Sequence, residues 1–232
     1  MSSLLNFIDN KVEKSEKIKM KKTSKIVVLI ISLALIAGFI FPIWLINLDA
    51  PQYPEGLGMN IWINKITGDL QTINGLNHYI GMKKIEPDSI KELTMMPYML
   101  GLLIAVGFIT GFAGKKKLLT IWVALFLILG IAGAIDFYSW EYDYGHNLNP
   151  EAAIKVPGMN YQPPLIGSKQ LLNFTAYSFP DTGGIIIIAA GIIAVLVLLY
   201  EWRFNRKLKP DEKDNVKRFI ARTADTPAVV HH

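Results

Sequence analysis

Two histidines and two methionines are the residues of this chain best suited to chemistry: His78 with Met82, and His146 with Met159. In Gly75-Leu76-Asn77-His78-Tyr79-Ile80-Gly81-Met82 the imidazole and thioether are four residues apart, which is one face of a helix if the segment is helical. Imidazole with thioether suits copper, the thioether favouring Cu(I). The second pair lies in Tyr144-Gly145-His146-Asn147 and Pro157-Gly158-Met159, two turn-like stretches that each contain a glycine. One such pair in each segment points to a shared metal site of His78, Met82, His146 and Met159. Met59, Met95 and Met96 are further thioethers. The plainer alternative has His78 hydrogen-bonded within its loop, His146 in a capped turn and both methionines packed. Glu141, Asp143 and Glu151 either attract or ligate a cation or form a solvated face.

The elements that must position these residues are dominated by the membrane. Half of the 232 residues are apolar. Four apolar runs, 26–46, 95–113, 118–135 and 185–200, each approach the roughly 20 residues that cross a hydrocarbon core as a helix. The stretch to Lys25 holds seven lysines or arginines, the turn 114–117 three, and the tail from Arg203 eight. The loops 47–94 and 138–182 hold four and two. Positive charge marks the cytoplasmic side, so both termini are expected inside and both long loops outside. The first run is too long for a signal peptide and lacks a small-residue cleavage site, so it is expected to stay as a span. The net charge of +5 then belongs to an inner surface facing anionic lipid, and argues little for nucleic acid.

This predicts an all-α membrane protein: four transmembrane helices, with two ordered outer loops folded into a periplasmic cap. A basic segment 1–24 precedes the membrane domain 25–202, and a basic tail 203–232 follows. Short strands are possible around Met59–Asn64. Asn74-Gly75 reads as a turn, Leu76–Ile85 as a short helix, and Ser168–Tyr177 as another stopped by Pro180. Asp136 stands where the third span leaves the membrane, and Glu201 near the end of the fourth is expected to pair with Arg203 or a lysine. Met20-Lys21-Lys22 reads as an alternative start, with residues 1–19 as a dispensable basic extension, and the terminal His231-His232 receive no role.

Cysteine is absent, which excludes disulfides, thiolate zinc sites, iron–sulfur clusters and covalently attached haem. No span contains a histidine pair for b-type haem, and no hydrolase triad, phosphate loop or dinucleotide fingerprint occurs. The sequence identifies no catalytic residue.

The phrases APQYPEGLGM, GLNHYIGMK, EYDYGHNL, AAIKVPGMNYQPPLIG and KQLLNF give the chain, from about Met20 to Tyr200, a specific resemblance. It is similar to small four-span membrane proteins encoded beside nitrous oxide reductase and its copper chaperone NosL. The resemblance implies an accessory role in maturing or supplying a periplasmic copper enzyme; the residues themselves make a non-enzymatic role the expectation. Nitrous oxide reductase and its maturation proteins would then be partners, in a bacterial inner membrane. It implies no ligand assignment. Two other readings stay open. One is a metal-free docking module with Trp62, Tyr79, Tyr144 and Tyr161 as anchors. The other is electron delivery, from quinol near Trp140, Tyr142 and Asp136 or through haem on His78 and His146.

Overall fold

The computed structural model describes residues 19–203. The basic ends beyond them, with His231 and His232, lie outside the described residues. In chain order the elements are α1 (Lys22–Ala34, continued by a 3-10 turn Leu35–Phe39), β1 (Trp44–Ala50), β2 (Tyr53–Ile61), β3 (Ile66–Gly68) and α2 (Leu70–Ile80). There follow α3 (Lys91–Ala113), α4 (Lys116–His146), β4 (Gly167–Leu171), β5 (Phe174–Pro180) and α5 (Thr182–Arg203).

Helix α1 with its 3-10 turn, and helices α3, α4 and α5, are long and apolar enough to cross a membrane, which makes this a multi-pass membrane protein. Small residues let the helices close on one another. A Cβ at Gly107 would stand 2.2 Å from the Ser32 hydroxyl and 3.0 Å from the Trp122 ring. Trp122 is fully buried, and its indole N–H donates to the Leu103 carbonyl at 2.8 Å. Close approach through small residues, with a polar group satisfied across helices, is what holds helices together in lipid. At the lysine-rich end, Glu201 has no exposed surface and meets Lys116 Nζ at 3.3 Å, while the Lys21 backbone amide donates to its Oε1 at 2.9 Å. The expected lysine partner is therefore Lys116.

The all-α expectation is wrong. The two long loops join in one five-stranded antiparallel sheet, ordered β3-β2-β1-β5-β4. Strands β1 and β5 pair from Trp44 opposite Pro180 to Asp49 opposite Thr175, so the central pair joins the two loops directly. One face of the sheet is apolar. Ile46 lies opposite Met59 on one side and Ser178 on the other, and Leu48 lies between Leu57 and Ala176. Ile46, Leu57, Met59, Ala176 and Ser178 are all buried, as alternation along a half-covered sheet requires.

Four local expectations fail for physical reasons. Residues 44–46 are strand rather than span, because the first helix ends at Phe39 and Pro42 follows. Asn74-Gly75 lies within α2, and Ser168–Tyr177 forms the β4–β5 hairpin, turning at Leu172 with φ 57°. Finally, α4 does not stop at the membrane. Its 31 residues make a rod about 46 Å long, against roughly 30 Å of hydrocarbon, so about ten residues stand clear. On that extension Phe137, Trp140 and Tyr144 pack on the sheet's apolar face. The sheet, α2 and this helix end form the cap.

Candidate functional site

Helix α2 ends at Ile80, and Gly81 takes φ +83°, a left-handed conformation in which a side chain is strained. A Cβ there would also sit 2.9 Å from that of Ala152 and 3.0 Å from the Asn149 carbonyl oxygen. Beyond this turn the Met82 amide donates to the Asn77 carbonyl at 2.9 Å, folding the chain back. His78 and Met82 consequently do not share a helical face. His78 is exposed, edge-on to the Tyr79 ring at 6.0 Å, whereas Met82 turns into the cap.

His146 is the last residue of α4, not part of a turn, and its ring stacks on Tyr142 with centroids 3.9 Å apart. Its Nδ1 lies 3.1 Å from the Tyr142 carbonyl oxygen. With Nδ1–H donating there, Nε2 keeps its lone pair for a ligand, an arrangement often seen behind metal-binding histidines. Met159 is half-buried in the segment between α4 and β4. That segment is tied to the first loop: Asn149 donates to the Gly81 carbonyl at 2.7 Å and Ile154 to that of Tyr79 at 2.9 Å. The two loops thus pack together. Of the four sequence-derived ligands, Met82 lines the cavity within the cap, and His78, His146 and Met159 are not among its lining residues.

This cavity, of about 60 Å³, lies between the sheet, α2 and the end of α4. Met59 from β2 and Met82 contribute thioethers, Glu141 from α4 a carboxyl, and Tyr161 a phenol; Ile46, Leu171 and Trp140 are among the apolar walls. Glu141 is 1% exposed, and neither carboxyl oxygen has a hydrogen-bond partner. The Tyr161 hydroxyl, on a residue 2% exposed, has none either. Burial pushes the Glu141 carboxyl up to about 8, because nothing nearby stabilises its anion. Asp143, two residues on, shows the opposite case. Hydrogen bonds from Lys83 and Asn147 hold its exposed carboxylate below the ordinary range. Burial also raises the Tyr144 hydroxyl, which donates to the Lys84 carbonyl at 3.3 Å.

Glu141 had a readable signal. Phe137, Trp140, Glu141 and Tyr144 recur at helical spacing, which puts the carboxylate in an apolar stripe once the helix is known to continue. Gly145 follows for a different reason than turn geometry. The Tyr161 amide donates to the Gly145 carbonyl at 2.9 Å, and a Cβ on Gly145 would stand 2.3 Å from the backbone of Gln162. Gly145→Ala should therefore push the 161–162 strap off α4 and cost about 2 kcal/mol, in the range of core overpacking. Unfolding followed by tryptophan fluorescence in detergent would check it, and an unchanged midpoint would contradict this packing.

Among the described residues, no three or more histidine, cysteine, aspartate or glutamate side chains gather as a metal-binding group. The cavity differs in kind, joining a single carboxyl to sulfur. No family model matches the chain, and neither a curated protein nor a solved structure is significantly similar to it.

Proposed function

We propose that the protein is a non-enzymatic accessory protein of a bacterial inner membrane, with both termini cytoplasmic, serving periplasmic nitrous oxide reductase by binding copper or handing it on. One observation carries this reading. The five phrases that resemble the nitrous oxide reductase–associated family come from both long loops, and they belong to one cap. APQYPEGLGM runs from the end of β1 through β2, GLNHYIGMK closes α2, and EYDYGHNL ends α4. AAIKVPGMNYQPPLIG straps α4 to the sheet, and KQLLNF makes the β4–β5 hairpin. The spans carry little beyond apolar side chains, so the cap is where a function would lie. His146, with Nε2 available, and exposed His78 would receive copper at its surface.

Deleting the gene in a denitrifying host should leave the reductase made but poor in copper, with nitrous oxide accumulating. His78→Ala plus His146→Ala should reproduce part of that defect. Normal copper content and normal nitrous oxide consumption in the deletion strain would overturn the proposal. The orientation has its own check, since the chain has no native cysteine. A cysteine replacing Lys65, in the β2–β3 turn, should react with a membrane-impermeant maleimide in intact spheroplasts, and one replacing Lys117 should not. The reverse pattern would invert the topology.

A metal-free docking role is the second reading, favoured by exposed Tyr79 and Ile154, which a backbone hydrogen bond holds together. Tyr161 drops out as an anchor because it is buried. A partner that co-purifies equally well with both histidine substitutions would favour docking.

A further inference from the structure

We propose that the cavity inside the cap is a Cu(I) site, with the thioethers of Met59 and Met82 and the carboxylate of Glu141 as ligands. This rests on the copper of the proposed function but uses neither of its surface histidines. Three observations lead to it. First, Glu141 is enclosed with both oxygens unpartnered, and the Tyr161 hydroxyl, on another residue lining the cavity, is unpartnered too. Buried polar groups are nearly always satisfied, so two orphans lining one cavity indicate a missing partner. Second, about 60 Å³ holds an ion or a few water molecules and excludes a quinol or haem.

Third, the donor set selects the ion. Calcium takes six to eight oxygen ligands and magnesium a near-octahedral oxygen shell, whereas Glu141 is the single carboxylate lining this space. Thioethers are soft donors that favour Cu(I). Charge points the same way. One carboxylate with one monovalent ion leaves an apolar cavity neutral, whereas a divalent ion would leave a net positive charge in it. Binding changes no oxidation state: Cu(I) takes the place of the Glu141 carboxyl proton, which leaves to solvent. Met59 is fixed by its place opposite Ile46 and Gly68 in the sheet, and Met82 by the left-handed turn at Gly81.

The test is anaerobic Cu(I) titration of the full-length protein in detergent, in competition with bicinchoninate. The wild type should take one equivalent into this site. Glu141→Gln, and separately Met59→Leu plus Met82→Leu, which nearly conserve volume, should weaken it by more than about tenfold while the protein remains folded. His78→Ala plus His146→Ala should leave it in place. Binding that survives the cavity substitutions and vanishes with the histidines would overturn the site and move copper to the surface. No uptake by the wild type would also overturn it, whereas the accessory role is judged separately by the reductase's copper content in the deletion strain.

Discussion

Replacing Glu141 by glutamine should make the copper-free protein more stable at neutral pH, by on the order of 2–3 kcal/mol. In the folded cap the carboxyl holds its proton up to about pH 8, whereas in an unfolded chain it would lose it near 4.5. Below pH 4.5 both states are protonated and the group costs nothing. Between 4.5 and 8 the unfolded state alone gains from ionising, so stability falls as pH rises. Above 8 the penalty is constant. A pKa difference of this size is worth about 1.4 kcal/mol for each unit crossed. Glutamine keeps the shape and removes the ionisation, so the variant's unfolding midpoint should stay flat across that window. Equal slopes for wild type and variant would mean that Glu141 has a partner. A substitution that strengthens the fold yet weakens copper binding would mark a side chain kept for a ligand rather than for stability.

Lys116→Met should have the opposite sign and a larger size. Glu201 has no exposed surface, and Lys116 supplies an ammonium at 3.3 Å that also reaches the Glu201 carbonyl oxygen at 3.2 Å. Removing one partner of a buried ion pair strands the other, at a cost of about 3–5 kcal/mol. Adding Glu201→Gln should recover much of that loss, since a neutral amide can still accept from the Lys21 backbone amide. Unfolding midpoints in detergent for the single and double variants measure this. A double variant no more stable than Lys116→Met would contradict the pairing.

The spans were legible because twenty apolar residues in a row have few other uses. The cap was not, and particular residues show why. Strand β1 continues directly from the first apolar run, so Trp44 and Ile46 read as membrane when they are sheet. The apolar face of β5 uses Ala176 and Ser178, too small and polar to register as hydrophobic alternation. Leu171, Leu172 and Phe174 mimic helical spacing around what is a hairpin turn. Helix α4 was cut at Ile135 because aromatic and acidic residues follow, yet four of them form the stripe that packs on the sheet.

The candidate site was legible in its chemistry more than in its members. Sulfur and imidazole at both loops suggested copper, and Met82 does line the cavity. His78 lies on the exposed side of the last turn of α2 and His146 at the end of α4, where chain spacing could not show which way each points. Glu141 looked like one of three equivalent acidic residues. Only the sheet laid over α4 distinguishes it from Asp143, which stays in solvent with Lys83.

X-ray absorption spectroscopy of the full-length protein loaded with one equivalent of Cu(I) addresses the buried site most directly. A Cu(I) shell dominated by sulfur, with an oxygen neighbour, is expected, unchanged by loss of both histidines and destroyed by Met59→Leu plus Met82→Leu. A shell built from imidazole nitrogen, or one indifferent to the two methionines, would contradict it.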